Sequence, residues 1–303
     1  MTDHWTPSRC PRSCRMSKYF ARAVPTAQEV SISSATSHDS TAWTHFEDMT
    51  TAADVYVTEL FPLGHGLPIW NPDPVTAGEV RIGDVGYFER GTFFRLFNTM
   101  NGAHDPNNEG CQLPDHFAKL SLPDRLQYYD PRAVQAGALC SKTVKIRSIA
   151  AQLNGMNAAQ GSFTIDRSKE QGAMLFLHDD GERREIHDND LMPQYMLDHY
   201  QHWIHLANEI IHLKLDVDEL YFVRGFVKSK SWAIMAFEKA NRSYSGSVNV
   251  QFGPSGLMLA ANWTDESHIP PVTRSGPVRP RSTLHPLITD DSLDTAQYIR
   301  VVS

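Results

Sequence analysis

Apolar residues fall into two dense runs within residues 79–98, separated by the polar residues 89–91. Two apolar runs with a short glycine-containing break between them predict an antiparallel β-hairpin. The parity of the apolar positions slips by one residue across Gly83 and Asp84, which indicates a β-bulge. Phenylalanines occupy both parities of the second run: Phe93, Phe94 and Phe97. Both faces of that strand therefore need cover, and the hairpin is predicted to lie centrally in the fold.

Alternation of apolar and polar positions predicts further strands along the chain. The first predicted strand is residues 54–60. A rigid loop is predicted over residues 64–74, where prolines and glycines exclude regular structure and burial of Trp70 is expected to fix the loop. A short helix is predicted within residues 120–129. The remaining predicted strands are residues 142–153, the pair 161–166 and 172–177, then 219–228, 231–237, 247–252, 257–263 and 297–302.

The strands between residues 219 and 263 follow one another closely, so they are predicted to pair in sequence as an antiparallel meander. Residues 265–295 contain several prolines and charges, which predicts an extended surface segment. The closing strand, residues 297–302, is expected to return to the edge of the sheet.

One long helix is predicted over residues 190–214, with Asp188 or Asn189 as its N-terminal cap. Its apolar residues recur at steps of mostly three and four: Met192, Met196, Tyr200, Trp203, Ala207, Ile210 and Ile211. They form one arc that is expected to pack on the sheet containing the 79–98 hairpin, with the Trp70 loop closing the opposite face. The predicted fold class is α+β: a mostly antiparallel β-sheet of hairpins and a meander, with one long amphipathic helix packed on it.

Residues 1–50 are rich in serine and threonine and lack apolar periodicity, which predicts a disordered N-terminal tail. Residues 51–303 are predicted to form a single α+β domain. The chain of 303 residues carries a net charge of −7 and no long basic run, which argues against binding nucleic acid. A membrane partner is possible, although the charge does not favour one. Without a signal peptide or an apolar run long enough for a transmembrane helix, the expected location is the cytoplasm, where the four cysteines are expected to be reduced.

The predicted helix carries a polar stripe nearly opposite its apolar arc: Asp198, His202, His205, Glu209 and His212. Two histidines flanked by carboxylates resemble the ligands of a metal site in a helical bundle. A stripe opposite the core faces solvent, however, and lacks the supporting hydrogen bonds that orient metal ligands. No phosphate-binding loop or nucleophile elbow occurs either. We therefore predict no metal, no cofactor and no catalytic residue. The predicted binding surface combines residues of the loop and the helix: His65, Trp70, His202, His205 and Glu209.

Three segments carry a resemblance to a protein family. They are residues 66–74, which contain Gly-Leu-Pro-Ile-Trp and two further prolines, residues 80–98, and residues 218–237. With the terminal Tyr298-Ile299-Arg300 they resemble a family of uncharacterised proteins from mushroom-forming fungi over most of residues 54–303. The resemblance implies a cytosolic fungal protein and no particular reaction.

Three functional hypotheses from different classes remain open. The first is a non-catalytic recognition module that binds a protein or a small ligand through its loops, because no catalytic constellation is found. The second is a pore-forming or membrane-remodelling protein, since residues 218–223 resemble a strand of gasdermin-type pore-forming domains, although Arg224 and Gly225 depart from that pattern. The third is a metal-dependent hydrolase that uses the polar stripe of the helix.

Overall fold

The structure, a computed structural model, describes residues 51–154, 158–167, 171–237, 244–253, 256–263, 271–276 and 295–302. The predicted tail, residues 1–50, lies outside the described residues. The helices are α1 (Ala52–Leu60) and α2 (Leu191–His205), and α2 continues into a π-helical turn at Leu206–Ile210. The strands are β1 (Leu67–Pro68), β2 (Asp84–Glu89), β3 (Thr92–Asn98), β4 (Gln127–Val134), β5 (Gly137–Cys140), β6 (Val144–Asn154), β7 (Ala158–Arg167), β8 (Gly172–Leu177), β9 (Gly181–Ile186), β10 (Tyr221–Ser229), β11 (Trp232–Phe237), β12 (Tyr244–Gly253), β13 (Gly256–Trp263), β14 (Val272–Gly276) and β15 (Thr295–Val301).

The strands form three antiparallel sheets, which confirms the predicted α+β class. The first sheet has seven strands in the order β1-β15-β10-β2-β3, with β9 pairing β10 and β4 pairing β9. The second has the order β14-β11-β8-β5, and the third has the order β13-β12-β7-β6. Each strand of the third sheet is the chain neighbour of the strand at the same lateral position in the second sheet. The third sheet therefore continues the four strands of the second.

The predicted hairpin is confirmed as β2 and β3, joined by a two-residue turn. Both turn residues have positive φ, 50° at Arg90 and 78° at Gly91, as the tight turns of right-twisted hairpins require. The register shift lies between Val85 and Gly86, slightly later than the bulge predicted across Gly83 and Asp84. The predicted central position is wrong, because β3 is an edge strand of the first sheet.

Both faces of the hairpin are nevertheless covered, as its phenylalanines predicted. Phe97 lies on the α2 side, where its ring centroid is 6.0 Å from that of Trp203, and both side chains are buried. Phe93 belongs to the opposite cluster with Ile69 of the loop and Ile299 of β15. The expected packing of the helix and the loop on opposite faces of the hairpin is therefore confirmed.

Residues 54–60, predicted to be a strand, lie in α1 instead. The hydroxyl of Thr51 accepts a hydrogen bond from the backbone N–H of Asp54, whose carboxylate in turn accepts one from the backbone N–H of Thr51. This capping box satisfies donors that a helix start leaves free. The buried side chains have helical spacing and pack on the second sheet: Ala52, Val55, Tyr56 and Leu60.

The predicted meander is only partly correct. β12 and β13 form a hairpin, as expected, but β10 and β11 belong to different sheets despite the short turn between them. β10 pairs β15, β9 and β2, whereas β11 pairs β8 and β14. The predicted pair 161–166 and 172–177 is likewise divided between the third and the second sheet.

Several boundaries also differ from the predictions. The helix ends by Ile210 rather than at residue 214, because the backbone turns to positive φ at His212 and Lys214. The helix predicted within residues 120–129 is a single 3-10 turn, Asp124–Leu126, which leads into β4. The predicted extended segment 265–295 contains β14, and β15 lies between β1 and β10 rather than at the sheet edge.

Candidate functional site

The third sheet consists of two β-hairpins that lie side by side. β6 and β7 form the first, with strands of 11 and 10 residues. β12 and β13 form the second, with strands of 10 and 8 residues. Pairing between β7 and β12 joins the two hairpins into one antiparallel sheet.

The first hairpin alternates between apolar or small residues and uncharged polar residues. One parity pairs Ile149 with Phe163, Ala151 with Gly161, and Leu153 with Ala159. The other parity pairs Ser148 with Thr164, Ala150 with Ser162, and Gln152 with Gln160. Because successive residues of a strand belong to opposite faces, the register gives this hairpin one apolar and one uncharged polar set of positions.

The second hairpin repeats the same alternation. One parity pairs Val248 with Ala261, Val250 with Leu259, and Phe252 with Leu257. The other pairs Ser247 with Asn262, Asn249 with Ala260, and Gln251 with Met258. Met258 and Ala260 are the apolar exceptions on the second parity, which otherwise carries hydroxyl and amide residues.

The pairing between the hairpins keeps the two sets of positions in register. Phe163 of β7 is opposite Val248 of β12, and Ser162 is opposite Asn249. The apolar positions of all four strands therefore share one face of the third sheet, and the hydroxyl and amide positions share the other. We call these the apolar face and the polar face.

Charged residues are absent from residues 148–165 and 244–263 and stand at the base of the hairpins instead. At the base, the register pairs Lys145 with Asp166. Arg147 occupies the register shift between Ile146 and Ser148. The third sheet is thus a four-stranded amphipathic surface without charge along its length, bounded by charges where it meets the second sheet.

Residues 148–165 and 244–263 contain no acidic, histidine or cysteine side chain that could serve as a general base or a metal ligand. The third sheet offers instead an apolar face and strands of the length that a bilayer requires, about 9–11 residues when tilted. An amphipathic sheet with a dyad alternation is the pattern by which strands contact lipid on one side and water on the other.

The polar stripe of α2 lies mostly in solvent. His205 and Glu209 are exposed and His202 is half-buried. The nearest aromatic neighbour of His202 is His116, with ring centroids 5.6 Å apart. Among the described residues no group of three or more histidine, cysteine or acidic side chains is arranged to hold a metal ion.

The loop residues of the predicted binding surface lie elsewhere, away from that stripe in the fold. Trp70 is only 6% exposed and packs edge-on against Tyr56 of α1, with ring centroids 5.4 Å apart. His65 is half-buried, with its Nδ1 3.3 Å from a guanidinium nitrogen of Arg183. Burial and the nearby positive charges of Arg183 and Arg300 lower the pKa of His65. The structure thus brings His65 and Trp70 to the side of α1 and β15, and leaves the three helix residues on α2.

Asp84 and Arg95 form a buried ion pair in the β2–β3 hairpin. The closest nitrogen and oxygen are 3.6 Å apart, and the Asp84 side chain is fully buried. The carboxylate also accepts hydrogen bonds from the Asn98 amide at 2.7 Å and from the backbone N–H of Arg81 at 2.7 Å. Burial raises the pKa of Asp84 to about 6, although Arg95, Asn98 and Arg81 act in the opposite direction. Each of the two charges thus has a partner within the same hairpin.

The described cysteines, Cys111 and Cys140, are free thiols, as expected. Burial raises the pKa of the Cys140 thiol to about 11, which makes it a poor nucleophile at neutral pH. Among the described helices, none has the length and apolar character needed to cross a bilayer.

Comparison of the chain with family models, with curated proteins and with solved structures finds no match. The resemblance to a fungal family, inferred from the sequence, stays a prediction. Function must therefore be argued from the geometry of the molecule itself.

Sequence analysis predicted all four strands of the third sheet but not that they pair into one sheet with an apolar and a polar face. The signal was available: a long uncharged alternation over residues 148–165 and a second over residues 244–263. The pairing of β7 with β12, which the sequence does not predict, places the two uncharged hairpins in one sheet.

Proposed function

We propose that this protein inserts the two hairpins of its third sheet into a lipid bilayer and forms a pore together with further copies of itself. The observation that carries the proposal is the shared register of the hairpins, which aligns one apolar face and one uncharged polar face across four strands. The second hypothesis from the sequence, a pore-forming protein, is thus the one that the geometry supports best.

Strand length supports the proposal. Three of the four strands have 10 or 11 residues, and a tilted strand needs about 9–11 residues to cross the hydrocarbon core. The fourth, with 8 residues, falls just short. Strands that cross a bilayer must also have every backbone N–H and C=O paired, because lipid offers no hydrogen-bond partner. Among the strands that the structure describes, β6 and β13 are the two edges of this sheet, and the same edges of neighbouring copies are able to pair with them.

The composition of the hairpins supports insertion as well. A charged residue at the bilayer midplane costs about 2–4 kcal/mol in a transmembrane strand, and charges at a hairpin tip must cross the whole core. Residues 155–157 and 254–255, which connect the strands of each hairpin, carry no charge. The nearest charges in β6 and β7, Lys145, Arg147, Asp166 and Arg167, all stand at the base, at the depth of the lipid headgroups in an inserted hairpin.

The other two hypotheses have less support. A metal-dependent hydrolase would use the stripe on α2, whose described residues do not converge on one site. A recognition module would bind through the loops, but Trp70 packs in the core beside Tyr56. Neither hypothesis accounts for two adjacent hairpins without charge.

Release of a trapped dye from vesicles tests the proposal. The full chain is added to vesicles of phosphatidylcholine alone, with phosphatidylserine, and with sterol, and calcein release is measured. The matched variants are Phe163→Lys on the apolar face and Ser162→Lys on the polar face, which are sequence neighbours with the same introduced charge. Phe163→Lys is expected to abolish release, because each inserted copy then buries a charge in lipid, whereas Ser162→Lys is expected to retain it. Failure of the wild-type chain to release dye from any of these vesicles would contradict the proposal.

A second pair of variants repeats the test on the other hairpin. Val250→Lys and Asn249→Lys stand next to each other in β12, on the apolar and the polar face. Val250→Lys is expected to abolish release and Asn249→Lys to retain it. Circular dichroism of all four variants is the control that checks whether each one is folded. Equal loss of release in both members of a pair would mean that the faces do not differ in function.

A further inference from the structure

We infer that the pore passes cations and anions alike, with selection by size rather than by sign of charge. The inference rests on the proposed function, and it concerns the surface that would line the water-filled passage, the polar face of the third sheet. That face has no charged position between Ser148 and Gln152 of β6, or between Gln160 and Thr164 of β7.

Hydroxyl and amide residues predominate on the polar face. Within residues 148–152, 160–164, 247–251 and 258–262, nine of its positions carry hydroxyl or amide side chains, and three carry Ala or Met. They are Ser148, Ala150, Gln152, Gln160, Ser162, Thr164, Ser247, Asn249, Gln251, Met258, Ala260 and Asn262. Hydroxyl and amide groups both donate and accept hydrogen bonds, so they interact with the hydration shells of cations and of anions.

Rings of charged side chains along a passage are one source of selection by sign. In this chain the charges nearest to the polar face stand at its base, where Lys145 is opposite Asp166 and the two charges offset each other. Arg147 is exposed and lies at the register shift between Ile146 and Ser148, also at the base. No charge of either sign is repeated along the face itself.

Distance weakens the influence of the base charges further. Ser162 is four residues from Asp166 along β7, a separation of about 13 Å at the rise of a strand. Interactions between exposed charges are largely screened beyond about 8 Å at physiological ionic strength. The middle of the passage therefore carries almost no field from the base, and ions of both signs meet similar barriers there.

Reversal potentials across a planar bilayer test the inference. With the full wild-type chain and a KCl gradient at about 0.15 M or above, the permeability ratio of K⁺ to Cl⁻ is expected to lie within about twofold of one. Ser162→Glu is expected to shift the ratio severalfold towards K⁺, and Ser162→Lys severalfold towards Cl⁻, because every copy in the pore adds one charge to a ring. Lys119→Glu, an exposed position outside the third sheet, is the matched control and is expected to leave the ratio unchanged.

The outcomes separate the inference from the proposed function. Conductance with a ratio far from one would overturn the inference and leave the pore intact. Conductance with no shift in either Ser162 variant would overturn it too, because the polar face would not line the passage. Absence of any conductance by the wild-type chain, together with absence of dye release, would overturn the proposed function and the inference with it.

Discussion

The β2–β3 hairpin of the first sheet and the two hairpins of the third sheet have the same local architecture and opposite patterns of side chains. In β3, Phe93 and Phe97 have the same sequence parity, but the register shift between Arg95 and Phe97 places them on opposite faces, where both are buried. In the third sheet one parity of each strand is apolar or small, and the other carries mostly hydroxyl and amide groups, with Ala150, Met258 and Ala260 as exceptions. A strand that is apolar on both parities is suited to a protein core, whereas strict alternation is suited to a boundary between two media.

The first sheet and the third sheet also differ in where their charged residues lie. The first sheet buries a charged pair, Asp84 and Arg95, and surrounds it with hydrogen bonds from Asn98 and the backbone of Arg81. In the third sheet, residues 148–165 and 244–263 carry no charge, and the charged residues of β6 and β7 stand at the base of the first hairpin. A fixed core can supply a partner for each charge, whereas a segment that moves into lipid leaves such partners behind.

The largest expected effect is the loss of a core phenylalanine in the first hairpin. Phe97→Ala is expected to lower the free energy of unfolding by about 3–5 kcal/mol, because the side chain is fully buried beside Trp203 and a cavity remains. Phe94→Ala is the matched control. Phe94 is half-buried and stacks on Tyr87, so about 1–2 kcal/mol is expected. Urea denaturation measures both, and equal effects would show that burial on the α2 side does not distinguish the two positions.

Next in size is the pH dependence that Asp84 confers. Its pKa is about 6 in the folded chain and has the ordinary value, 3.8, when unfolded, so folding favours the protonated carboxyl. The resulting stability is fully present below pH 4 and is lost as the pH rises through about 6. At about 1.4 kcal/mol per pKa unit the loss amounts to roughly 3 kcal/mol.

Unfolding free energies between pH 4 and pH 7 measure this loss. Asp84→Asn, which keeps the size and removes the titration, is expected to depend less on pH than the wild type by about that amount. Parallel curves for the two proteins would show that Arg95 and the hydrogen bonds hold Asp84 ionised throughout the range.

The predictions from sequence were correct where the apolar residues fitted only one periodicity, and wrong where they fitted both the strand and the helix periodicity. Residues 54–60 alternate like a strand, but the buried side chains of Val55, Tyr56 and Leu60 also fit a helix, and the capping box at Thr51 decides for the helix. The long helix had a single periodicity, and its packing on Phe97 was predicted correctly.

Pairing between distant strands could not be predicted, because the alternation of apolar and polar residues in one strand does not identify the strand with which it pairs. β10 and β11 are separated only by Lys230 and Ser231, yet they pair in different sheets. The candidate site could not be predicted from the sequence for the same reason. The alternation of each hairpin was visible in the sequence, but β7 and β12 lie far apart along the chain, and only their pairing aligns the two apolar faces.

A smaller effect should test how α2 holds the first hairpin. In a double-mutant cycle, Phe97→Ala and Trp203→Ala are expected to show a coupling free energy of about 1 kcal/mol, because the rings meet edge to face. Phe93→Ala with Trp203→Ala is the control and should be additive, since Phe93 packs with Ile69 on the opposite face. Additivity of both pairs in urea denaturation would show that α2 does not stabilise the hairpin through Phe97.

The smallest expected effect is on dye release, when a single hydroxyl group is added to one face of β6. Ala150 and Ala151 are neighbours in β6, on the polar and the apolar face, and the first hairpin pairs them with Ser162 and Gly161. In the proposed inserted state, Ala151→Ser places a hydroxyl in lipid, which costs less than about 1 kcal/mol per copy when the hydroxyl bonds to its own backbone. The protein concentration that releases half of a trapped dye should therefore rise a few-fold for Ala151→Ser and stay unchanged for Ala150→Ser. An equal response of the two variants would mean that adjacent positions of β6 meet the same medium, and the contrast between the hairpins of the first and third sheets would then have no functional basis.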